Sequence, residues 1–177
     1  MERLLQVLCV TKFVIIATDK TKARSILVMK DDYDNTIHLS DKLQLSARGE
    51  SGDATQFERS ALQDAEQLRA VAARRRRNLA DYLRSRLPFN VNLLIAGYDN
   101  EKDECEFYVL NYLAAIVTTK FVAHNYGGFF STAILDNKYR DDMTREEAYD
   151  LLKDCVHEIK KRLIINMPNF HVKIVEK

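Results

Sequence analysis

The side chains best able to do chemistry in this sequence, its thiols and imidazoles, are scattered. Cys9, Cys105 and Cys155 stand among apolar residues of predicted strands or a helix, which is typical of reduced thiols that fill a core. No CxxC motif occurs. The histidines are isolated from one another: His38, His124, His157 and His171. This spacing offers no ligand set for a metal, and we expect no cofactor.

Two further segments invite a ligand-binding interpretation. Asp31, Asp32 and Asp34 suggest a calcium loop, but the glycine of its sharp turn and its bidentate glutamate are missing. We interpret them as a solvated acidic turn that contacts a basic neighbour. Gly49 to Asp53 suggests a phosphate loop, but it lacks the Gly-Lys-Ser/Thr ending and its acidic residues would repel phosphate. It is interpreted as a tight turn from strand to helix, with Asp53 as the helix cap.

The run from Arg74 to Arg77 suggests phosphate binding. Successive helical residues are turned by about 100°, so four arginines in a row point around the axis and form no stripe. No aromatic platform stands beside them in the sequence. We favour a helix end that faces solvent or a protein interface.

The elements that must position these residues alternate in blocks: strands, helices, strands, helices, strand. The predicted strands are Leu4–Val10, Phe13–Thr18, Ser25–Lys30, Thr36–Ser40, Leu43–Ser46, Asn90–Tyr98, Cys105–Tyr112, Ala114–Phe121 and Phe170–Val175. The predicted helical stretches are Ala54–Leu87, ended by Pro88, and Phe129–Lys138, which follows a glycine turn at Ala123–Gly128. Hairpins without βαβ alternation favour antiparallel sheets with segregated helices, an α+β fold in one domain over residues 1–177.

The last helix has the strongest signal. Thr144 and Glu147 have the spacing of a capping box. One apolar face then recurs at the helical period: Ala148, Leu151, Leu152, Cys155, Val156, Ile159 and Leu163. Pro168 ends it.

Composition sets the broad class. The chain has 177 residues, of which 46% are hydrophobic and 30% charged, within the range of globular domains. Its formal net charge of +1 gives no general attraction to nucleic acid or to an acidic membrane. The apolar start is interrupted by Lys12 and is too short for a signal anchor. We expect a soluble intracellular protein.

Several motifs together resemble those of one family. They are Ser25–Asp32, Gly49–Asp53, Leu83–Pro88, Leu93–Asp99, His124–Gly128 and Lys161–Asn166. In this order they resemble the proteasome beta subunits, and among them the non-catalytic type of the beta-4 position, also called beta type-2. The likeness runs nearly from end to end.

The resemblance implies a fold and an assembly. The fold is the four-layer αββα sandwich of the N-terminal-nucleophile hydrolases, with two antiparallel sheets flanked by helices. The partners are the other alpha and beta proteasome subunits, in stacked seven-membered rings located in the cytoplasm and nucleus. No nucleic acid and no membrane is expected as a partner.

The resemblance also gives the positions that are catalytic in active relatives, and here they are degenerate. The nucleophilic threonine falls at Arg3, which cannot attack a carbonyl, and the lysine that activates it falls at Asn35, which has no charge. The first threonine is Thr11, and no Gly-Thr junction precedes it.

The remaining positions divide into retained and altered residues. Asp19 matches the aspartate after the second strand, and Gly49 matches the glycine whose N–H forms an oxyanion hole. Tyr126, Leu163 and Asn166 fall where active relatives have a serine, an aspartate and a serine. An oxyanion hole without a nucleophile hydrolyses nothing, so Asp19 and Gly49 are interpreted as remnants.

The expected function is therefore structural. We expect a non-catalytic beta subunit of the proteasome core particle, forming part of the beta ring and the chamber wall in intracellular protein degradation. Two alternatives remain open: an active threonine peptidase of the same fold, and a nucleic-acid-binding module built on the arginine run.

Overall fold

The computed structural model describes residues 5–24, 27–30, 32, 34, 36–49, 52–54, 67–99, 102–124, 126–162 and 169–176. The strands are β1 Leu5–Val10, β2 Phe13–Asp19, β3 Lys22–Arg24, β4 Leu27–Lys30, β5 Thr36–Ser40, β6 Leu43–Gly49, β7 Val91–Asp99, β8 Glu104–Leu110, β9 Ile116–Thr118, β10 Phe121–His124 and β11 Phe170–Glu176. The helices named below are α1 Leu68–Tyr82, α2 Tyr126–Lys138 and α3 Arg145–Arg162.

Contacts along the chain divide it into two compact units. The first takes Met1–Asn35 and Lys120–Ile174, and the second takes Thr36–Thr119 and Val175–Lys177. The expectation of one domain over residues 1–177 stays a prediction.

The first unit is built on a sheet in which β1 is an inner strand. The strand order is β10-β1-β2-β11, and β1 pairs antiparallel with both β10 and β2. Thr11 and Lys12 form the turn of the β1–β2 hairpin, whose last pair is Val10 with Phe13. Every residue of β2 is buried, as the apolar run Phe13–Ala17 predicts, and the burial extends to the polar Thr18 and Asp19. The hairpin prediction is confirmed.

Helices α2 and α3 pack against each other and against this sheet. Their shared core is apolar and includes both sheet and helix residues: Leu8, Val10, Phe13, Ile15, Ala17, Leu135, Met143, Ala148, Leu151, Leu152 and Cys155. The predicted face is confirmed for Ala148, Leu151, Leu152, Cys155 and Ile159, which are buried, whereas Val156 is only partly buried. Leu163 lies outside the described residues.

The capping box of α3 is also confirmed. The backbone N–H of Glu147 donates to Thr144 Oγ1 at 3.3 Å, and Glu147 Oε2 accepts from the Thr144 N–H at 2.8 Å. Two backbone donors that helix geometry leaves without a partner are thereby satisfied.

The second unit is a five-stranded antiparallel sheet with the order β5-β6-β7-β8-β9. Helix α1 packs on its middle strand, β7. Gly97 makes this approach possible, because a Cβ there would lie 2.9 Å from Leu43 Cδ1 and 3.3 Å from Leu68 Cδ1. The core is again apolar: Leu43, Leu45, Ala47, Leu68, Val71, Ala72, Leu79, Val91, Leu93, Ile95, Leu110 and Ala114.

The predicted helical stretch Ala54–Leu87 was expected to hold two helices joined at Arg69–Ala73, and the structure differs both in where it is broken and in where it ends. Residues 52–54 are helical and 55–66 lie outside the described residues, but Gln67 has an extended backbone and a new helix begins at Leu68. That helix ends at Tyr82, well before Pro88, in a turn where the Ser85 N–H donates to the Tyr82 carbonyl at 3.0 Å. Pro88 therefore does not terminate the helix.

The predicted strand Ala114–Phe121 is two strands of two different sheets, β9 and β10. It also begins later than predicted, because Ala114 has a left-handed φ of 60° in the loop after β8. The side chain of Asn111 shapes that loop by accepting the N–H of Leu113 at 3.1 Å and of Ala115 at 2.9 Å. Apolar sequence alone does not show which sheet a strand joins.

The predicted glycine turn Ala123–Gly128 is likewise wrong. Strand β10 runs to His124 and helix α2 begins at Tyr126, three residues before the predicted start. Gly128 lies in the first turn of the helix, where a Cβ would stand 2.5 Å from the Ala123 carbonyl oxygen. Gly128 permits close packing of the helix on the strand and does not belong to a turn.

Candidate functional site

The positions that correspond to catalytic residues in active relatives are only partly within the described residues. Asp19, Gly49 and the backbone of Tyr126 are described, whereas Arg3, Asn35, Leu163 and Asn166 lie outside. Asp19 belongs to the first unit and Gly49 to the second. Each is therefore considered in its own surroundings.

Asp19 ends strand β2 and is buried. Its Oδ1 accepts the backbone N–H of Thr21 at 2.9 Å, the pattern by which an aspartate turns the chain two residues on. The N–H of Lys20 donates to the Asn169 carbonyl at 3.2 Å. The carboxylate thus has a structural role at the end of a strand, which is consistent with a remnant of the fold.

Gly49 ends strand β6, opposite Val91 of β7. A Cβ at this position would lie 1.9 Å from the carbonyl oxygen of Asn90. No side chain fits at that distance, so the approach of the two strands requires glycine whether or not its N–H serves a reaction. Tyr126 is the first residue of α2.

Thr11 lies in the exposed turn between β1 and β2. Its hydroxyl donates to the carbonyl of Asp141 at 3.4 Å. A threonine acts as an N-terminal nucleophile only when its own amine is free. Freeing the amine of Thr11 would remove β1, the strand between β10 and β2.

The acidic turn contacts basic side chains, as predicted. Lys20 Nζ lies 3.0 Å from Asp32 Oδ1, and Lys173 Nζ lies 2.7 Å from Asp34 Oδ2. The hydrogen bond from Lys20 lowers the pKa of Asp32. Asp31 lies outside the described residues. These two ion pairs attach the acidic turn to Lys20 and Lys173 of the first unit.

The thiols are arranged for packing rather than reaction. Cys105 and Cys155 are buried, and burial raises the pKa of each to about 11. Thiols with so high a pKa are poor nucleophiles at neutral pH. Cys9 is only partly buried, so the prediction of a buried thiol is wrong for it.

Sequence reasoning missed a polar cluster in the first unit. The hydroxyl of Tyr139 lies 2.7 Å from the Cys9 carbonyl and 2.8 Å from Asp141 Oδ1, and Lys120 pairs with the same carboxylate. Burial raises the pKa of Tyr139, so its hydroxyl stays protonated and acts as a donor. The tyrosine and Cys9 are 130 residues apart in sequence, and no motif links them.

The second unit holds a charged cluster that was also missed. Arg69 Nε on α1 lies 2.9 Å from the buried Asp99 Oδ2, and Tyr108 donates to Glu106 Oε2 at 2.9 Å.

Across the described ranges, no group of three or more histidine, cysteine or acidic side chains is placed to hold a metal ion. None of the helices in these described ranges has both the length and the apolar character of a membrane span.

Comparison with known proteins identifies the family. Residues 8–175 match the family model of the proteasome subunit. The chain belongs to the proteasome subunit family. It is 42% identical to the proteasome subunit beta type-4 of Saccharomyces cerevisiae, an alignment that covers 93% of this chain and 88% of the yeast protein. It is 37% identical to the proteasome subunit beta type-2-B of Arabidopsis thaliana, over 93% of this chain and 87% of the relative.

Family membership confirms the resemblance found in the sequence. The similarity extends to a probable proteasome subunit beta type-4 of Schizosaccharomyces pombe, 35% identical over 93% of this chain and 90% of that protein. The predicted α+β fold of the N-terminal-nucleophile hydrolases, with two antiparallel sheets, is confirmed. As a proteasome subunit, the chain is a structural component of a threonine endopeptidase complex and assembles with other proteasome subunits.

Proposed function

We propose that this proteasome subunit is non-catalytic and occupies the beta-4 position, the beta type-2 place, in a seven-membered ring of the core particle. Its surfaces contribute to ring curvature and to the wall of the degradation chamber. It needs no cofactor and works in the cytoplasm and nucleus, among alpha and beta subunits in stacked rings. Its relatives named beta type-4 and beta type-2 support the position.

One observation carries the non-catalytic part of the proposal: the place of β1 in its sheet. In the register of active relatives the nucleophile falls at Arg3, just before β1, and the next available hydroxyl, that of Thr11, comes after this inner strand. Processing that exposed Thr11 would break the pairings of β1 with both neighbours. A second change supports the same conclusion, because Asn35 stands where the activating lysine is expected and brings no positive charge.

A native-mass measurement tests the assignment as a ring subunit. The chain is tagged in its own cells, isolated without denaturation, and its companions are identified by mass spectrometry. We expect a particle with the full set of alpha and beta proteasome subunits. A monomer, or an oligomer of this chain alone, would contradict the proposal.

Labelling with a threonine-directed electrophile tests the absence of catalysis. The intact particle is treated with a peptide epoxyketone, and each subunit is then analysed by mass spectrometry. We expect adducts on other subunits of the particle and none on this chain. An adduct on its N-terminal residue would show that it is an active threonine peptidase. The labelled neighbours are the internal positive control.

A further inference from the structure

The arginines of the chain are concentrated in one stretch. Between Gln67 and Asn90 there are seven arginines, no lysine, and one acidic residue, Asp81. The whole chain has a formal net charge of only +1, so the remainder carries a net negative charge. The positive charge is therefore local to helix α1 and the segment that follows it.

The structure separates these arginines by their position on α1. Arg75 lies on the buried face, together with Leu68, Val71, Ala72 and Leu79. Arg74, Arg76 and Arg77 are exposed. The outer side of the helix carries a shallow groove lined by Ala70, Arg74, Arg77, Asn78 and Asp81, which recur at helical spacing. Sequence reasoning treated the run as one feature, but it divides into one core residue and three exposed arginines.

Large apolar side chains are exposed at the end of the helix and just after it. Tyr82, Leu83 and Leu87 are exposed, and Leu87 has 85% of its surface accessible. The ring of Tyr82 stacks at a tilt against Phe89, with centroids 4.5 Å apart, which fixes its position. We call the exposed residues Ala70, Ala73, Arg74, Arg76, Arg77, Tyr82, Leu83 and Leu87 the arginine surface.

Two of its charges are available to a partner. Among the described residues, no ion pair involves Arg76 or Arg77. Guanidinium groups bind carboxylates through two parallel hydrogen bonds, a geometry that the lysine ammonium cannot make. The alanines at positions 70 and 73 leave room for another backbone to approach the helix between the arginines.

The amino-acid composition of this stretch favours a protein over a nucleic acid as its partner. Arginine and tyrosine are enriched in protein interfaces and lysine is depleted, and the stretch follows that pattern with seven arginines and no lysine. The exposed leucines have no use on a phosphate backbone but bury apolar area against a protein.

We propose that the arginine surface is a docking site for an acidic, partly apolar surface of another subunit in the same assembly. The inference rests on the proposed function, because it requires a partner subunit, and it adds the chemistry of that partner: carboxylates opposite Arg76 and Arg77, and an apolar rim opposite Leu83 and Leu87. It also accounts for a concentration of charge that the core of the second unit does not need.

Charge reversal in cells tests the docking site. The R76E/R77E variant is expected to enter the particle about tenfold less than the wild-type chain, because like charges then face the partner's carboxylates across the interface. The R76K/R77K variant keeps both charges but cannot form the paired hydrogen bonds, so it is expected to enter the particle less well than the wild type and better than R76E/R77E. The exposed turn variant K12E, which reverses a charge in the first unit, should assemble normally.

A photo-crosslink separates the partner classes without relying on a variant's stability. A photoreactive residue in place of Ala73 is activated in the purified particle, and the linked peptide is sequenced. We expect a peptide of a co-purifying subunit that contains several aspartates or glutamates. A link to nucleic acid or lipid, a peptide without acidic residues, or no link at all would overturn the inference.

The outcomes distinguish the two proposals. If the wild-type chain does not isolate with other proteasome subunits, the proposed function fails. If the wild-type chain does, and R76E/R77E enters the particle equally well, the docking inference alone fails.

Discussion

Replacing Thr144 by alanine removes the hydroxyl that caps helix α3. In the structure this hydroxyl accepts the N–H of Glu147 at 3.3 Å and lies 3.1 Å from the Glu147 carboxylate. The helix carries the apolar face that packs on the first unit's sheet. The change therefore perturbs a defined pair of hydrogen bonds and leaves the packed face untouched.

The expected magnitude follows from the role of the hydroxyl. Loss of an N-cap threonine costs about 1 kcal/mol, and that energy corresponds to roughly a fivefold change in the opening equilibrium of the first turn. The Ala148 N–H, bonded to the Thr144 carbonyl at 3.0 Å, keeps its partner, so the effect should be confined to the first turn. The centre of α3, around Leu152, should not change.

Hydrogen exchange in the assembled particle measures this directly. We expect the amide of Glu147 to exchange about fivefold faster in T144A, since exchange follows the population of the open first turn. T144S keeps a hydroxyl and should exchange as the wild type does. T132A is the matched control, because Thr132 is exposed on α2 and the substitution is the same.

The cap should also depend on pH. Hydrogen bonds from Thr144 lower the pKa of Glu147 below its ordinary value of 4.5. A carboxylate with a lowered folded-state pKa stabilises the fold above its unfolded pKa, and this contribution is lost as the pH falls through the folded value. Protection of the Glu147 amide should therefore fall below about pH 4.5 and fall less in T144A. Equal exchange in T144A and T132A at neutral pH would refute the argument.

Three further perturbations follow from contacts in the two units. G128A should destabilise the first unit by about 1–3 kcal/mol, since its Cβ would meet a carbonyl of β10 at 2.5 Å. The melting temperature measures this loss, and G52A is the control, because a Cβ at Gly52 would meet no atom within 4 Å. A melting temperature of G128A as unchanged as that of G52A would contradict the prediction. L152A should lower the free energy of unfolding by about 2–5 kcal/mol, because the Leu152 side chain lies in the core and is only 3% exposed. A decrease in melting temperature no larger than that of T132A would exclude this. Iodoacetamide at pH 8 should modify Cys9 before Cys155, whose pKa of about 11 leaves about one thiolate in a thousand, and faster modification of Cys155 would argue against its burial.

The success of sequence reasoning differed from element to element for physical reasons. The capping box of α3 was predicted correctly because all of its hydrogen bonds join residues three positions apart. The β1–β2 hairpin was predicted for the same reason, since its turn and its pairing are local. The boundary at Gln67 was missed because the sequence on both sides of it favours a helix, whereas the backbone of Gln67 itself is extended.

The candidate site shows the same division. Sequence motifs identified Asp19 and Gly49, but only the structure shows that each has a structural use, as a turn acceptor and as a close strand contact. The cluster around Tyr139 joins residues far apart in sequence and had no local signal. The exposure of Arg77 and the burial of Arg75 depend on which face of α1 the sheet covers.

The sequence by itself determined the family, the α+β class and the local signals for most strands and for α3, because motif order, apolar period and capping are properties of neighbouring residues. Tertiary structure decided which sheet each strand joins, why Gly128 must be a glycine, and which arginine enters the core. Those outcomes depend on contacts between residues distant along the chain. The free energies of these contacts depend on burial and on distances of a few ångströms between packed atoms, and no local sequence pattern encodes them.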